Sequence, residues 1–562
     1  MEVLIDQNVK CQDCHRCIRE CSINAVGVEN EQAWTITDFS IYCGRCINVC
    51  PQGAPLPRDQ SQVIKNILSG DSKTALSLAP SFYANYPDRS PEELAGALKE
   101  AGFDIIAETA QGAEILSPML NHEVRTRKQP VISSSCPGVV NLIEKHYPEL
   151  IPCLSSLLSP ALIHALYLKE NYSQDLKVIF AGPCLAKIDE ALNGNSSIDY
   201  VLTFNQLDKV LKDTGSFSAQ PGKIDEYSRG RALIYPVEKG AVNATEFNNN
   251  KGEALYGSGI DESISILEDL KSGSLNSRFI ELLICQGGCI NGPFISRENS
   301  IARRKQVIKN IYKTRPARDN QLEHNFKPDQ LSRIYTDKKT IYPEPDEMEI
   351  QEILKSIGKY SEKDETNCGG CGYNSCREKA IAIYQGLAEA EMCIPYMKKK
   401  AESLSNIIFQ SSHNAIIVVT PKMIVQEFNP VAEKLFNHRD RSATGRSLYR
   451  YIDPELFQKA WQEKRKIRKQ EVYYEKYDIV TEQNIFPIEE HEVIVGIFAD
   501  ITEKKKRQQE VKEMKKMAAE KAEDVVHKQM KIVQQIASLL GETTVETKTA
   551  LYDLTRLIQE ED

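Results

Sequence analysis

The sequence predicts an α/β protein of several domains that ends in long helices, and three observations carry that expectation. Between residues 62 and 345, short β-rich runs such as TALSLA, PVISSS, KVIFAG, ALIYPV and IELLIC alternate with helix-length amphipathic stretches, which is the layering of an α/β domain. Cysteines fall in separate groups as far as residue 393 and then stop altogether. From residue 503 the chain is highly charged, with apolar residues stepping by four and three. A length of 562 residues is too great for one core and fits three to five domains. The boundaries read from these changes are 1–60, 61–345, 346–402, 403–502 and 503–562.

Composition narrows the function classes. Hydrophobic residues at 41% and charged residues at 27% are ordinary for a soluble protein, and a net charge of −9 gives no basic footprint for nucleic acid. The start MEVLIDQNVKC has no basic-then-apolar leader, and no run approaches the ~18 apolar residues of a membrane span, so a cytoplasmic protein without a membrane partner is expected. Sixteen cysteines in so long a chain read as metal ligands rather than disulfides. All but Cys153 fall in ligand motifs, and Cys153 in PCLSSLL reads as an inert half-buried thiol.

In residues 1–60, Cys11, Cys14, Cys17 and Cys21 are followed by Cys43, Cys46 and Cys50-Pro51. This resembles the two-cluster ferredoxin pattern, with a zinc module as the alternative. The resemblance implies that Cys11, Cys14, Cys17 and Cys50 hold one [4Fe-4S] cluster. The second set has Cys21, Cys43 and Cys46, with Ser40 where a fourth cysteine belongs. Ser40 then ligates as an alkoxide, or the cluster keeps an open iron, or it loses one. Such a unit is an electron wire, and a serine in place of a thiolate changes the potential of the atypical cluster.

Residues 61–345 carry Cys136 in SSSCPG, Cys184 in AGPCLAK, and Cys285 and Cys289 in ICQGGCINGP. Four soft thiolates suit an iron–sulfur cluster or zinc, and the surrounding glycines and prolines argue for tight loops around a bulky inorganic group. With LSLAPSF at 76–82, GFDIIAETA at 102–110, HYPEL at 146–150 and FIELLICQGGCINGP at 279–293, these segments resemble the [FeFe]-hydrogenase family. The resemblance implies an α/β hydrogenase-type domain whose quartet holds a [4Fe-4S] cluster. It implies also that Cys289 bridges to a two-iron subsite with carbonyl and cyanide ligands, and that Lys187 hydrogen-bonds a cyanide. Several positions depart from the family. Ser135 stands where catalytic members have a proton-relaying cysteine, and an alcohol is a far poorer acid than a thiol of pKa about 8.5. GAEILSPMLN at 112–121 is apolar where the family has paired glutamates, and Gly182 and Leu283 replace two methionines. The pocket is expected to bind its cofactor and turn over slowly.

Residues 300–345 read as a linker with one helix rather than as core. In residues 346–402, Cys368, Cys371, Cys376 and Cys393 lie in NCGGCGYNSCREKAIAIYQGLAEAEMC, which resembles the small four-cysteine [4Fe-4S] domain of electron-transfer and corrinoid iron–sulfur proteins, with a zinc ribbon as the alternative. From 403 the chain reads as an entry helix, a hairpin-like pair of apolar runs and a helix opened by Asn429-Pro430. Continuing through GRSLYRYI at 445–452 to VIVGIFADIT at 493–502, it resembles a PAS sensor domain. His413, His438 and His491 there are structural residues or haem contacts. The last segment has a coiled-coil seam of Val526, Met530, Val533, Ala537 and Leu540, ended by Gly541 as a C-cap, with Thr543 and Thr544 starting a second helix. His527 reads as solvent-facing, since no ATP-binding glycine motif follows it.

These readings converge on a hydrogen or redox sensor. Its expected partners are H2 and protons, a redox protein such as ferredoxin, a downstream kinase- or phosphatase-type signalling protein and a second copy of the chain. The rivals are a working ferredoxin-linked [FeFe]-hydrogenase and a non-catalytic electron-transfer or scaffold protein without the two-iron subsite.

Overall fold

The computed structural model of the chain describes residues 3–6, 10–192, 196–213, 220–247, 253–315, 322–437 and 442–559. They divide into two compact units, Met1–Met397 and Lys398–Asp562.

In the first unit, strand β1 (Leu4–Asp6) pairs antiparallel with β4 (Pro55–Pro57), and β2 (Val26–Glu29) forms a hairpin with β3 (Gln32–Thr35). Short helices Arg16–Arg19 and Arg45–Val49 lie within the two cysteine runs and carry Cys17 and Cys46. The larger part is built on two parallel sheets. One has the order β6–β5–β8–β9, from Ile105–Glu108, Thr74–Leu78, Lys177–Gly182 and Tyr200–Thr203. The other has the order β10–β11–β7, from Ala254–Ser258, Phe279–Leu283 and Val131–Ile132. Strands β5 and β11 are buried along their whole length, which is why they read as continuous apolar runs.

Two sequence expectations change here. ALIYPV is no strand: Arg231–Ile234 is a turn of 3₁₀ helix, and Pro236 has no N–H to give a ladder. The segment 300–345 is more than a linker. Its helix Ile301–Thr314 buries Ile308 and Arg304, and Leu331 beyond it is also in the core, so an amphipathic face outweighs the polar composition. Helices Glu347–Ser356 and Cys376–Tyr384 complete the unit.

The second unit has an antiparallel sheet of order β13–β12–β16–β15–β14, from Val425–Phe428, Ala415–Val419, Val493–Asp500, Ile479–Ile488 and Ile467–Tyr474. Asn429 caps the helix Pro430–Phe436 as the sequence predicts. Its Oδ1 accepts from the Ala432 and Ile416 amides at 2.9 Å each. Phe436 and Phe457 pack on Phe498 with ring centroids 5.6 and 6.1 Å apart, filling the face of the sheet. His413 and His491 are exposed, and His438 lies outside the described residues.

After β16 a single helix, Thr502–Gln559, runs for 58 residues. Its first turn is tied to the sheet, since Asp500 Oδ1 accepts from the Thr502 amide at 2.9 Å and Thr502 Oγ1 accepts from the Val480 amide at 2.9 Å. The expected break at Gly541 is absent. Interior glycine costs only about 1 kcal/mol relative to alanine, and Thr544 bonds back to the Leu540 carbonyl instead of opening a new helix. His527 is exposed, as expected.

Candidate metal centre

Five of the cavity's lining loops leave the carboxyl ends of parallel strands, where open α/β sheets place their ligands, and Pro160, Tyr235 and Pro236 close it from elsewhere. Ala79, Pro80 and Ser81 follow β5, Thr109 follows β6, Ser135 and Cys136 follow β7, Pro183 and Cys184 follow β8, and Cys289 follows β11. Cys136 is the residue before helix Pro137–His146, so its sulfur sits at the positive end of that helix.

The donor set fits an iron–sulfur group. Burial, reinforced by Cys136, pushes the Cys184 thiol up to about 12. Burial, reinforced by Cys184, Cys289 and Cys136, pushes Cys285 well above the thiol range. Thiols so placed give up their protons only against the charge of a metal group. The cavity also holds an orphan, because the buried Ser81 hydroxyl lines it without a hydrogen-bond partner in the protein. A donor left unpaired at such cost fits an occupant with acceptor ligands. Lys187 lines the same wall. Its Nζ donates to Ser159 Oγ at 2.8 Å and Glu190 Oε2 at 2.6 Å, which leaves one of three donors for an occupant.

The departures from the family have visible consequences. Ser135 lines the cavity and accepts a hydrogen bond from Ser133 Oγ at 3.1 Å. At Gly182 a Cβ would lie 2.6 Å from the Phe180 ring, so Phe180 fills the space and no longer side chain fits at 182. Leu283 lines the cavity directly. Glu114, in the segment 112–121, is held by the amides of Arg229 and Gly230 at 2.9 and 2.7 Å.

One polar residue of this cavity escaped the sequence analysis. Glu281, in the middle of β11, accepts from the Val242 amide at 2.8 Å, and burial pushes its pKa up to about 7. A carboxylate inside the run FIELLIC was the available signal, since a fully buried strand does not carry a charge without a use.

Cys11, Cys14, Cys17 and Cys50 line one cavity together with Cys46, and burial together with Cys11, Cys50 and Cys14 raises Cys17 to about 12. Cys46 is raised by burial and by Cys43 and Cys21, which joins those three residues. Ser40 is buried, and its hydroxyl accepts from the Tyr42 amide at 3.2 Å. Cys43 and Cys285 line one cavity, and a Cβ on neighbouring Gly44 would lie 2.6 Å from Pro293. Cys153 is half-buried, with its thiol raised by burial.

Cys368, Cys371, Cys376 and Cys393 line a further cavity, with Lys379 in its wall. Lys379 is 1% exposed, and its Nζ donates to the Ala390 carbonyl at 3.0 Å. A buried cation beside four cysteines compensates an anionic cluster, and nothing in CREKAIAIY separates it from the surface lysines around it.

Comparison with known proteins agrees with this geometry. Residues 72–293 match the family described as iron only hydrogenase large subunit, C-terminal domain; residues 364–395 match a putative Fe-S cluster family; residues 406–501 match the PAS fold. The NADP-reducing hydrogenase subunit HndD of Solidesulfovibrio fructosivorans is 25% identical over 320 residues, covering 44% of this chain and 54% of that protein. Iron hydrogenase 1 of Clostridium pasteurianum is 26% identical over 367 residues, covering 50% and 63%. A probable cytosolic Fe-S cluster assembly factor of Aedes aegypti is 25% identical over 328 residues, covering 46% and 67%. The chain thus spans 54% and 63% of the two hydrogenase relatives' lengths. Among the described residues no helix is long and apolar enough to cross a membrane. The iron–sulfur match at 364–395 replaces the zinc-ribbon alternative for that segment. The chain is an iron–sulfur protein with an [FeFe]-hydrogenase-like domain, a second iron–sulfur domain and a PAS domain.

Proposed function

We propose that the protein is a hydrogen or redox sensor that turns over slowly. The observation that carries this reading is Ser135, which stands in the wall of the cavity where a proton donor for catalysis is needed. General acid–base work requires a donor whose pKa is near the working pH; an alcohol is not one, and Glu281, the carboxyl of the same wall, is tied to the Val242 amide. The rest of the cavity is kept for binding. The orphan Ser81 hydroxyl and the remaining donor of Lys187 hold an occupant's acceptor ligands, and Cys136, Cys184, Cys285 and Cys289 ligate the cubane. When bound, a two-iron subsite with carbonyl and cyanide ligands supplies the chemistry with H2.

The three further cysteine sets act as [4Fe-4S] centres, the one with Ser40 being atypical. The output is the PAS domain and its helix. Val526, Met530, Val533 and Leu540 are exposed along that helix, and such a seam is covered by the same seam of a second copy in a parallel homodimer. A kinase- or phosphatase-type partner reads it in the cytoplasm.

A second reading is supported by the likeness to a probable Fe-S cluster assembly factor, and makes the domain a scaffold without a two-iron subsite. Infrared spectra of the matured protein under H2 and under argon separate the readings. Carbonyl and cyanide bands that move under H2, with slow turnover, are expected; absent bands favour the scaffold, and fast turnover favours a working hydrogenase exchanging electrons with ferredoxin.

A further inference from the structure

The four-cysteine segment does not stand apart from the N-terminal domain, although more than 300 residues separate them in sequence. Ile18, Val26, Val28 and Ile36 form one core with Tyr373 and Leu387. Backbone bonds lock the two segments together, the Val28 amide donating to the Leu387 carbonyl at 3.2 Å. The Glu389 carboxylate accepts from the Asn30 and Glu31 amides at 2.7 and 3.3 Å.

The closest approach is made by the loop that holds Cys371. Gly372 has φ +92°, and a Cβ there would lie 2.7 Å from Ile18 Cγ2 and 3.2 Å from the Arg19 amide nitrogen. Only glycine lets this loop lie flat on helix Arg16–Arg19, just before Cys21. Tyr373, the next residue, is 5% exposed and belongs to that core, against which Cys371, Cys21 and Cys46 all pack. Cys43 and Cys285 of the quartet line one cavity.

We propose that the centre at Cys368–Cys393 exchanges electrons with the rest of the protein through the Cys21–Cys43–Cys46 centre, across the Gly372–Tyr373 contact. This rests on the reading that these cysteine sets bind iron–sulfur clusters. Each transfer moves one electron from a reduced cluster to an oxidised neighbour, with no bond made or broken. The centre with Ser40 in place of a thiolate then becomes a junction with three neighbours: the quartet through Cys43, the Cys11–Cys50 set through Cys17 and Cys46, and the Cys368–Cys393 set through Cys21. Redox state at the quartet reaches the Cys368–Cys393 set through it.

Electron paramagnetic resonance of the fully reduced, full-length protein tests the proposal. Adjacent paramagnetic clusters split or broaden each other's signals. In Cys368→Ala/Cys371→Ala the iron content should fall by one cluster, and the broadening of the Cys21–Cys43–Cys46 signal should narrow. In Gly372→Val, whose added side chain meets Ile18, the same broadening should be lost in the protein that retains all its clusters. Unchanged broadening in the double variant despite the loss of iron overturns the wire. Iron content unchanged in that variant overturns instead the cluster reading on which the wire rests. If Gly372→Val fails to fold, the double variant decides alone.

Discussion

Three side chains show how single residues set the chemistry of this chain. At Ser135 an alcohol, a far poorer acid than a thiol, lines the cavity. Ser135→Cys should raise H2 oxidation or evolution, by less than the roughly 10²–10⁴-fold typical of general acid–base groups, because Glu114 is tied to the Arg229 and Gly230 amides and Glu281 to the Val242 amide. Turnover of the matured variant beside the wild type measures this, and equal fast rates would remove the case for sensing. If the buried Ser40 is the weak fourth ligand of the proposed atypical cluster, Ser40→Cys should turn its resonance signal into that of an ordinary cubane with a shifted potential. His164 was not legible. It is fully buried between Ser77 Oγ at 2.8 Å and Gln111 Oε1 at 3.3 Å, and burial lowers its pKa to about 3. Below pH 6.5 the unfolded chain takes up a proton that the folded chain refuses. Stability is therefore complete above about pH 6.5 and falls toward pH 3 by about 1.4 kcal/mol per pH unit. The urea midpoint of His164→Gln, followed between pH 5 and 7, should lack this component.

At the scale of elements, the ligand loops depend on glycines that cannot be replaced. Gly288 has φ +96°, and a Cβ there would overlap the Pro236 carbonyl oxygen. Gly288→Ala should therefore cost more than the roughly 1–3 kcal/mol of backbone strain alone and lower the iron bound after reconstitution. Full iron occupancy with an unchanged melting point would contradict this. The pattern of what the sequence revealed follows from the same local physics. Parallel strands such as β5 and β8 announce themselves because burial on both faces demands unbroken apolar runs. ALIYPV satisfies the same rule and is a 3₁₀ turn, since a short apolar run does not distinguish strand from buried turn. Gly541 misled in the other direction. A glycine ends a helix only when the backbone beyond it turns left-handed, and here the helix continues through it.

For the whole molecule, assembly is the property most open to test. The exposed seam from Val526 to Leu540 requires a partner, and ending the chain after residue 502 should convert a dimer into monomers by light scattering; an unchanged mass would rule out helix-driven dimerisation. The cysteine groups were legible because ligand spacing is local. The packing of Tyr373 against the region of Cys21 was not, because no periodicity records a contact between segments so distant in sequence. Finally, the bonds from Asp500 and Val480 to Thr502 make the base of the last helix part of the sheet. A straight helix of 58 residues is about 87 Å long, so a tilt of about one degree at its root displaces its tip by about 1.5 Å. It has the gearing of a pointer on a dial: a strand shift too small to rearrange any side chain becomes a stroke as long as a covalent bond, and the place to read it is the far end.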